Sequence, residues 1–185
     1  MKNIYAIHGA FSSPAIFAFM QEKLKKGFNW HFLDYHAEIQ GIVDIVNSSR
    51  ITTPCHVIGH SMGGLIALGL ISNINVLSVT TIACPLGGIE INSMQKWYGK
   101  TSFVNDIVNT GTFIKQIKDI KTTKPVQHLI SCVGFNPWIY EPNDGVLTLR
   151  SQRAYTLGKT HDIQANHVEI MMNESVIDIL KNFWN

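Results

Sequence analysis

Residues 56 to 64 read HVIGHSMGG, one serine set between glycines where one apolar run ends and another begins. Gly-x-Ser-x-Gly fixes only three positions and recurs by chance, so its meaning rests on its flanks. Cys55, His56, Val57 and Ile58 form a short run suited to a buried strand, and Leu65, Ile66, Leu68, Leu70 and Ile71 supply the apolar residues of a helix. A strand enters and a helix leaves, with only a sharp turn between them. Such a turn forces the serine into an uncommon backbone conformation and leaves no room for side chains two residues to either side. Gly59 and Gly63 have no Cβ to collide there. The hydroxyl of Ser61 is thereby held out at the carboxyl edge of a sheet, near the positive end of a helix, where developing negative charge is stabilised. The pattern points to a nucleophile.

The chain of 185 residues has room for one domain with a substantial core and too little for two comfortable ones, so residues 1–185 are expected to form a single domain. An apolar share of 45% against 15% charged is that of a globular chain, and no apolar stretch is long enough to span a bilayer. The net charge of +2 is small, and Lys96, Lys100, Lys115, Lys118, Lys121 and Lys124 are scattered, which argues against nucleic acid as a partner. Cys55, Cys84 and Cys132 are odd in number and each lies in an apolar, strand-like segment, so they read as reduced core residues without metal-ligand spacing. MKNIYAIHGAF runs directly into strand-like sequence and lacks the apolar region and cleavage site of a secretory signal. A cytoplasmic location is the expectation, although a processed mature form would look the same.

Along the chain, strands are predicted at about 3–8, 29–35, 55–60, 76–84, 126–133 and 154–164, and helices at 14–26, 38–48, 62–73, 147–153 and 168–184. This alternation implies a parallel sheet with helices on both faces. Residues 89–124 read as one or two irregular helices, and 134–145 as a loop rich in Pro, Asn and Gly. No repeat, low-complexity tract or linker divides the sequence.

Five anchors fall in a familiar order: HGAF after the first strand, GHSMGG at the serine turn, ACPLGG after the next strand, then NDGVLTLRSQ, and ANHVEI before the last helix. With them nearly the whole chain resembles the α/β-hydrolase fold, and in particular small bacterial lipases and esterases. In that family the His-Gly pair follows the third of eight strands, whereas here it ends the first. The resemblance therefore implies a reduced form with about six mostly parallel strands. It also implies a serine hydrolase that cleaves carboxylic esters through an acyl-enzyme, takes a small-molecule ester or acyl substrate, and needs no metal or organic cofactor. Thioester or amide hydrolysis would use the same residues, and a ligand-binding protein of this fold is the remaining alternative.

A serine hydroxyl is a weak nucleophile that needs a base, and the base needs an orienting group. Of eight histidines, His167 lies after the last strand at the start of the final helix, where a loop from the carboxyl edge of the sheet can reach Ser61. His161 is the rival, but it sits inside the predicted strand. His8 belongs to the first glycine turn, where it is expected to brace the loop, and His60 is expected to pack beside the serine without taking its proton. Asp144 in EPNDGVL lies 23 residues before His167, though Asn-Asp-Gly is also an ordinary turn. The family resemblance implies Asp144 as the acid, with Asp162 and Glu141 as alternatives. Two backbone donors are expected for an oxyanion: the amides of Met62 and Ala10, with Phe11 a second candidate for the latter. Phe11, Phe17, Phe19, Trp97, Tyr98, Trp138 and Tyr140 are candidates to line an acyl pocket, and 89–124 lies where the family inserts a cap or lid.

Overall fold

The structure, a computed structural model, describes residues 1–36, 39–90 and 102–184. Its centre is a six-stranded sheet of β1 (Lys2–Ile7), β2 (Phe28–Phe32), β3 (Cys55–His60), β4 (Val76–Ile82), β5 (Val126–Ser131) and β6 (Lys159–Ile163), in the order β2-β1-β3-β4-β5-β6. Every neighbouring pair is parallel. Residues of β3 and β5 are buried at every position, as expected of strands covered on both faces.

Side-chain alternation along the strands divides the core in two. Ile4 and Ala6 of β1 and Ile58 of β3 face Met20 and Leu24 of α1 (Ala18–Leu24) and Val176, Ile177, Leu180 and Trp184 of the last helix (Glu174–Trp184). Ile7, Cys55 and Val57 face the opposite way, toward α2 (Ile42–Ser48), α3 (Met62–Gly69) and the helix Thr112–Lys118. Residues Met62 to Leu68 of α3 are all buried, because this helix lies between the sheet and its neighbours and is apolar on every side. In chain order the remaining helices are α4 (Val104–Ile107), α5 (Thr112–Lys118), α6 (Leu149–Gln152) and α7 (Glu174–Trp184).

The strand order dictates where a site can form. From β1 the chain steps outward to β2, then returns across β1 to lay down β3 and continues in that direction to β6. The connections leaving β1 and β3 therefore diverge and open a crevice at their carboxyl ends, the topological switch point of an open α/β sheet.

Several predicted boundaries shift for local reasons. The first helix divides into a 3-10 turn at Pro14–Phe17 and α1, with Pro14 supplying the fixed φ of a helix start. The helix expected over 38–48 begins at Ile42, after Gly41, and residue 38 lies outside the described residues. The helix expected over 62–73 ends at Gly69, that expected over 147–153 is confined to α6, and the strand expected over 154–164 is only Lys159–Ile163. The last helix divides at Asn173 into a 3-10 turn, Glu169–Met172, and α7. Strands β4 and β5 stop at Ile82 and Ser131, so Cys84 and Cys132 lie just past them, and Cys132 is partly exposed where a core position was expected. All three cysteines are free. Among the described residues, no helix is long and apolar enough to cross a membrane.

Candidate active site

Ser61 sits between β3 and α3 with φ 54° and ψ −127°, a left-handed conformation that a residue with a Cβ seldom adopts. Neighbouring backbones hold it there. A Cβ on Gly59 would lie 2.1 Å from the carbonyl oxygen of Gly63, and one on Gly63 would lie 2.2 Å from that of Ile7. The helix thus packs directly against the strand it leaves and against the end of β1. The Ser61 amide donates to Ile82 O at 2.8 Å, extending the sheet ladder by one residue, and its carbonyl accepts from Gly64 N at 2.9 Å. Backbone is fixed on both sides while the side chain faces a cavity.

That cavity, of about 350 Å³, is lined by Gly9, Ala10, Phe11, Ser12, Ile16, His60, Ser61, Met62, Ile89, Phe103, Ile107, Val146, Leu147, His167 and Val168. It occupies the switch-point crevice. The loop after β1 approaches Ser61 closely, since a Cβ on Gly9 would lie 2.9 Å from Ser61 Cβ and 3.4 Å from its Oγ. The loop is braced by His8, whose Nδ1–H donates to Gly9 O at 2.8 Å and whose ring stacks on Tyr35 with centroids 4.3 Å apart. Tyr35 in turn donates its hydroxyl to His8 O at 2.5 Å. The Met62 amide is the first of α3 and so has no partner within the helix. Among the described residues neither it nor the Ala10 amide donates to a backbone carbonyl.

His167 lies in the turn between β6 and the 3-10 segment, one step earlier than the helix start expected for it. Asn166 caps that segment: its Oδ1 accepts from Val168 N at 3.0 Å and Glu169 N at 2.9 Å, and Glu169 answers by accepting from Asn166 N at 3.3 Å. Two ties join this turn to the acid loop, His167 Nδ1–H to Asp144 Oδ2 at 2.7 Å and His167 N to Asp144 O at 3.0 Å. A third comes from β3, where His60 Nε2–H donates to His167 O at 2.9 Å. The His60 proton is therefore on Nε2, and its buried Nδ1 has no partner among the described residues. Burial, reinforced by the neighbouring His167, pushes the His60 imidazole down to about 3, so the ring is neutral.

Asp144 is 1% exposed and its carboxylate is saturated. Oδ1 accepts from Val146 N at 2.9 Å and Leu147 N at 2.6 Å. Oδ2 accepts from His167 Nδ1, from Ser131 Oγ at 2.5 Å and from Gln152 Nε2 at 2.9 Å. Burial works to raise this carboxyl, but the His167 bond and charge, with the donors from Leu147 and Ser131, outweigh it and hold the group below its ordinary 3.8. It is ionised at neutral pH. The turn carrying Asp144 sits against Gly134, where a Cβ would lie 2.0 Å from the Asp144 carbonyl carbon.

The other candidates lie apart from this group. Asp162 pairs with Arg153 at 2.7 Å and Glu141 with Arg150 at 2.7 Å, both on the exposed side of the loops. His161 is within β6. Of the aromatic candidates, Phe11 lines the cavity, Phe17 is fully buried in the α1 core, and Phe19 packs against that same core. Trp138 and Tyr140 are exposed beside a neighbouring hollow of about 530 Å³ that shares Ile89, Val146 and Leu147 with the first. Trp97, Tyr98, Lys96 and Lys100 lie outside the described residues, as does the middle of the 89–124 segment. Its remaining part contributes Ile89, Phe103 and Ile107 to the cavity wall. Reading the sequence alone does not bring out Ser131, Gln152 or Gly134, which meet Asp144 through tertiary packing. Among the described residues, no group of three or more His, Cys, Asp and Glu side chains is placed to hold a metal ion.

No family model matches the sequence, and no curated protein aligns with it. Solved structures do match. A lipase from Bacillus licheniformis in its mature form superposes with a TM-score of 0.74 at 16% identity, over 98% of this chain and 91% of that one. A hydrolase from Oleispira antarctica gives 0.71 at 15% identity, over 99% and 90%. A lipase-esterase related protein from Clostridium acetobutylicum gives 0.67 at 16% identity, over 98% and 94%. With six parallel strands in this order and helices on both faces, the chain has the α/β-hydrolase fold.

Proposed function

We propose that the protein is a serine hydrolase of carboxylic esters. One observation carries this reading: Ser61, in a strained turn, and His167, bonded through Nδ1 to a buried carboxylate, line the same cavity. In the proposed reaction His167 Nε2 takes the Ser61 proton as Oγ attacks the ester carbonyl. The carbonyl oxygen becomes an oxyanion received by the amides of Met62 and Ala10, both on the cavity wall. The imidazolium then gives its proton to the leaving alcohol, and the acyl group stays on Ser61. Water, deprotonated by the same imidazole, attacks the acyl carbon, and the imidazolium returns the proton to Ser61 Oγ as the acyl–Oγ bond breaks and the acid leaves. Asp144 keeps the imidazole in the Nδ1–H tautomer and favours its cation throughout.

The mostly apolar wall of Phe11, Ile16, Ile89, Phe103, Ile107, Val146 and Leu147 supports an acyl chain as the group held there. The lipases and the hydrolase among the structural matches add weight to hydrolysis. Two measurements test the proposal: labelling by a fluorophosphonate, which needs an activated serine, and hydrolysis of a chain-length series of chromogenic esters beside a thioester. Both signals in the wild type and neither in Ser61→Ala are expected. Labelling that survives Ser61→Ala would move the nucleophile elsewhere.

A further inference from the structure

We infer that Gln152 and Ser131 form a buried clamp that aims the Asp144 carboxylate at His167 and sets how strongly it favours the imidazolium. The inference rests on the hydrolase reading above. Gln152 is fully buried on α6, and Ser131 is fully buried at the end of β5. The carboxamide is held at two points by one residue: Oε1 accepts from Ser131 N at 3.1 Å while Nε2 donates to Ser131 O at 3.2 Å. Turning it over would set amide hydrogens against an N–H and an oxygen against both a carbonyl and a carboxylate. Its orientation is therefore fixed, and the second Nε2 hydrogen must point at Asp144 Oδ2, 2.9 Å away. Ser131 spends its one hydroxyl proton on the same oxygen at 2.5 Å.

Both donors thus share Oδ2 with His167 Nδ1–H. Fixing the oxygen from two directions orients the imidazole. Each donor also withdraws negative charge from the oxygen that stabilises the imidazolium, so the clamp trades some stabilisation of that cation for position. A further titratable group, His60 at the end of β3, is coupled to both members of this pair, and His8, after β1, is coupled to His60. Arg150 and Arg153 flank Gln152 but point outward to Glu90, Glu141 and Asp162. Gln152 and Ser131 are positioning residues, since they act through Asp144.

Ser131→Ala and Gln152→Leu, with Ser131→Thr as the conservative partner, test the clamp by steady-state kinetics against pH on one activated ester. Active-site titration with a fluorophosphonate counts the folded enzyme. The expected result for each of the first two is a kcat lower by about tenfold or more, the consequence of losing a hydrogen bond to a charged group. KM should stay within about twofold, as for an interaction that matters in the transition state alone. The acid limb of kcat/KM should move to higher pH, because the remaining carboxylate charge favours the imidazolium more strongly. Ser131→Thr retains the hydroxyl and should retain the wild-type limb. In an Asp144→Asn background, Gln152→Leu should add no further loss of kcat. A purely structural role predicts fewer titratable sites, an unmoved limb and additive losses, and that pattern in the folded fraction would overturn the clamp. If Gln152→Leu fails to fold, the limb and kcat of Ser131→Ala decide alone. A wild-type chain that neither turns over nor labels would overturn the hydrolase reading and the clamp with it; an active wild type with unmoved variants overturns only the clamp.

Discussion

Five donors converge on the two oxygens of Asp144, two from its own turn and three from Ser131, Gln152 and His167, and the last three carry the proposal that it orients a base. An asparagine fits the Asn-Asp-Gly turn equally well by backbone preference, yet it has one acceptor oxygen and its NH2 must face donors whichever way it lies. Asp144→Asn is therefore expected to lower the rate by about four orders of magnitude by holding the imidazole in the wrong tautomer. The crowding of donors should also cost about 1–3 kcal/mol of stability. Asp162→Asn and Glu141→Gln alter exposed ion pairs and should leave turnover near normal, within the small worth of such pairs. Steady-state rates of the three variants with matched denaturant curves check this, and folded Asp144→Asn with near-normal turnover would send the acid role elsewhere. The sharp turn at Ser61 and its two flanking glycines was legible because a short motif fixes the backbone there. Gln152 was not, because nothing in LTLRSQ tells a buried amide on a one-turn helix from an exposed one.

Close backbone approach, rather than side-chain packing, builds the elements around the site, and glycine substitutions read it out. Gly63→Ala would drive a methyl into the carbonyls of Ile7 and His8 at 2.2 and 2.3 Å, and Gly134→Ala into the Asp144 backbone at 2.0 Å. Neither clash can be relieved by a rotamer, so each is expected to destabilise by at least about 1–3 kcal/mol and to abolish turnover. Gly27→Ala meets nothing within 4 Å and serves as the control, with a melting temperature close to that of the wild type. A Gly134→Ala variant with wild-type activity and stability would show that the acid loop does not need this contact. The same reasoning explains which elements the sequence disclosed. Apolar runs made the six strands and their parallel sense legible, most densely at β3 and β5, which are buried at every position, whereas their order in the sheet was not read from the sequence. Helix ends were less legible: a single Asn173 divides the last helix, and α6 is only Leu149–Gln152, with a Thr148 cap that is too local to register as periodicity. What placed Asp144 opposite His167 is tertiary packing, the Asp144 turn lying against Gly134 and its carbonyl accepting from His167 N, which no periodicity encodes.

Burying neutral histidines makes the stability of the whole fold depend on pH in a definite direction. His128, in the middle of β5, is fully buried. Its Nε2 accepts from Leu157 N at 3.2 Å, so its proton is on Nδ1, which donates to Thr81 Oγ1 at 2.8 Å. Burial pushes this ring down to about 4 from an ordinary 6.5, and His60 lies lower still at about 3. Because both folded values are depressed, the unfolded chain binds protons first as the pH falls, and the stabilisation is complete only above about 6.5. From there each ring removes about 1.4 kcal/mol per pH unit until its own folded value is reached. Together they predict a loss of about 4 kcal/mol between pH 6.5 and 5, a large part of the stability of an ordinary domain. Asp144 acts in the same direction but lower, because its depressed carboxyl withdraws its contribution only below about 3.8. Urea unfolding across pH 8 to 4.5 should therefore show a plateau above about 6.5 and below it a slope of at least two protons, with His56, pushed down by burial to about 4, adding to it. His128→Gln removes one titrating group while leaving an amide able to donate to Thr81 and accept from Leu157, so it should reduce that slope by one proton. An unchanged slope in the folded variant would mean that His128 titrates alike in both states, and acid sensitivity would then have to come from His60 and the remaining histidines.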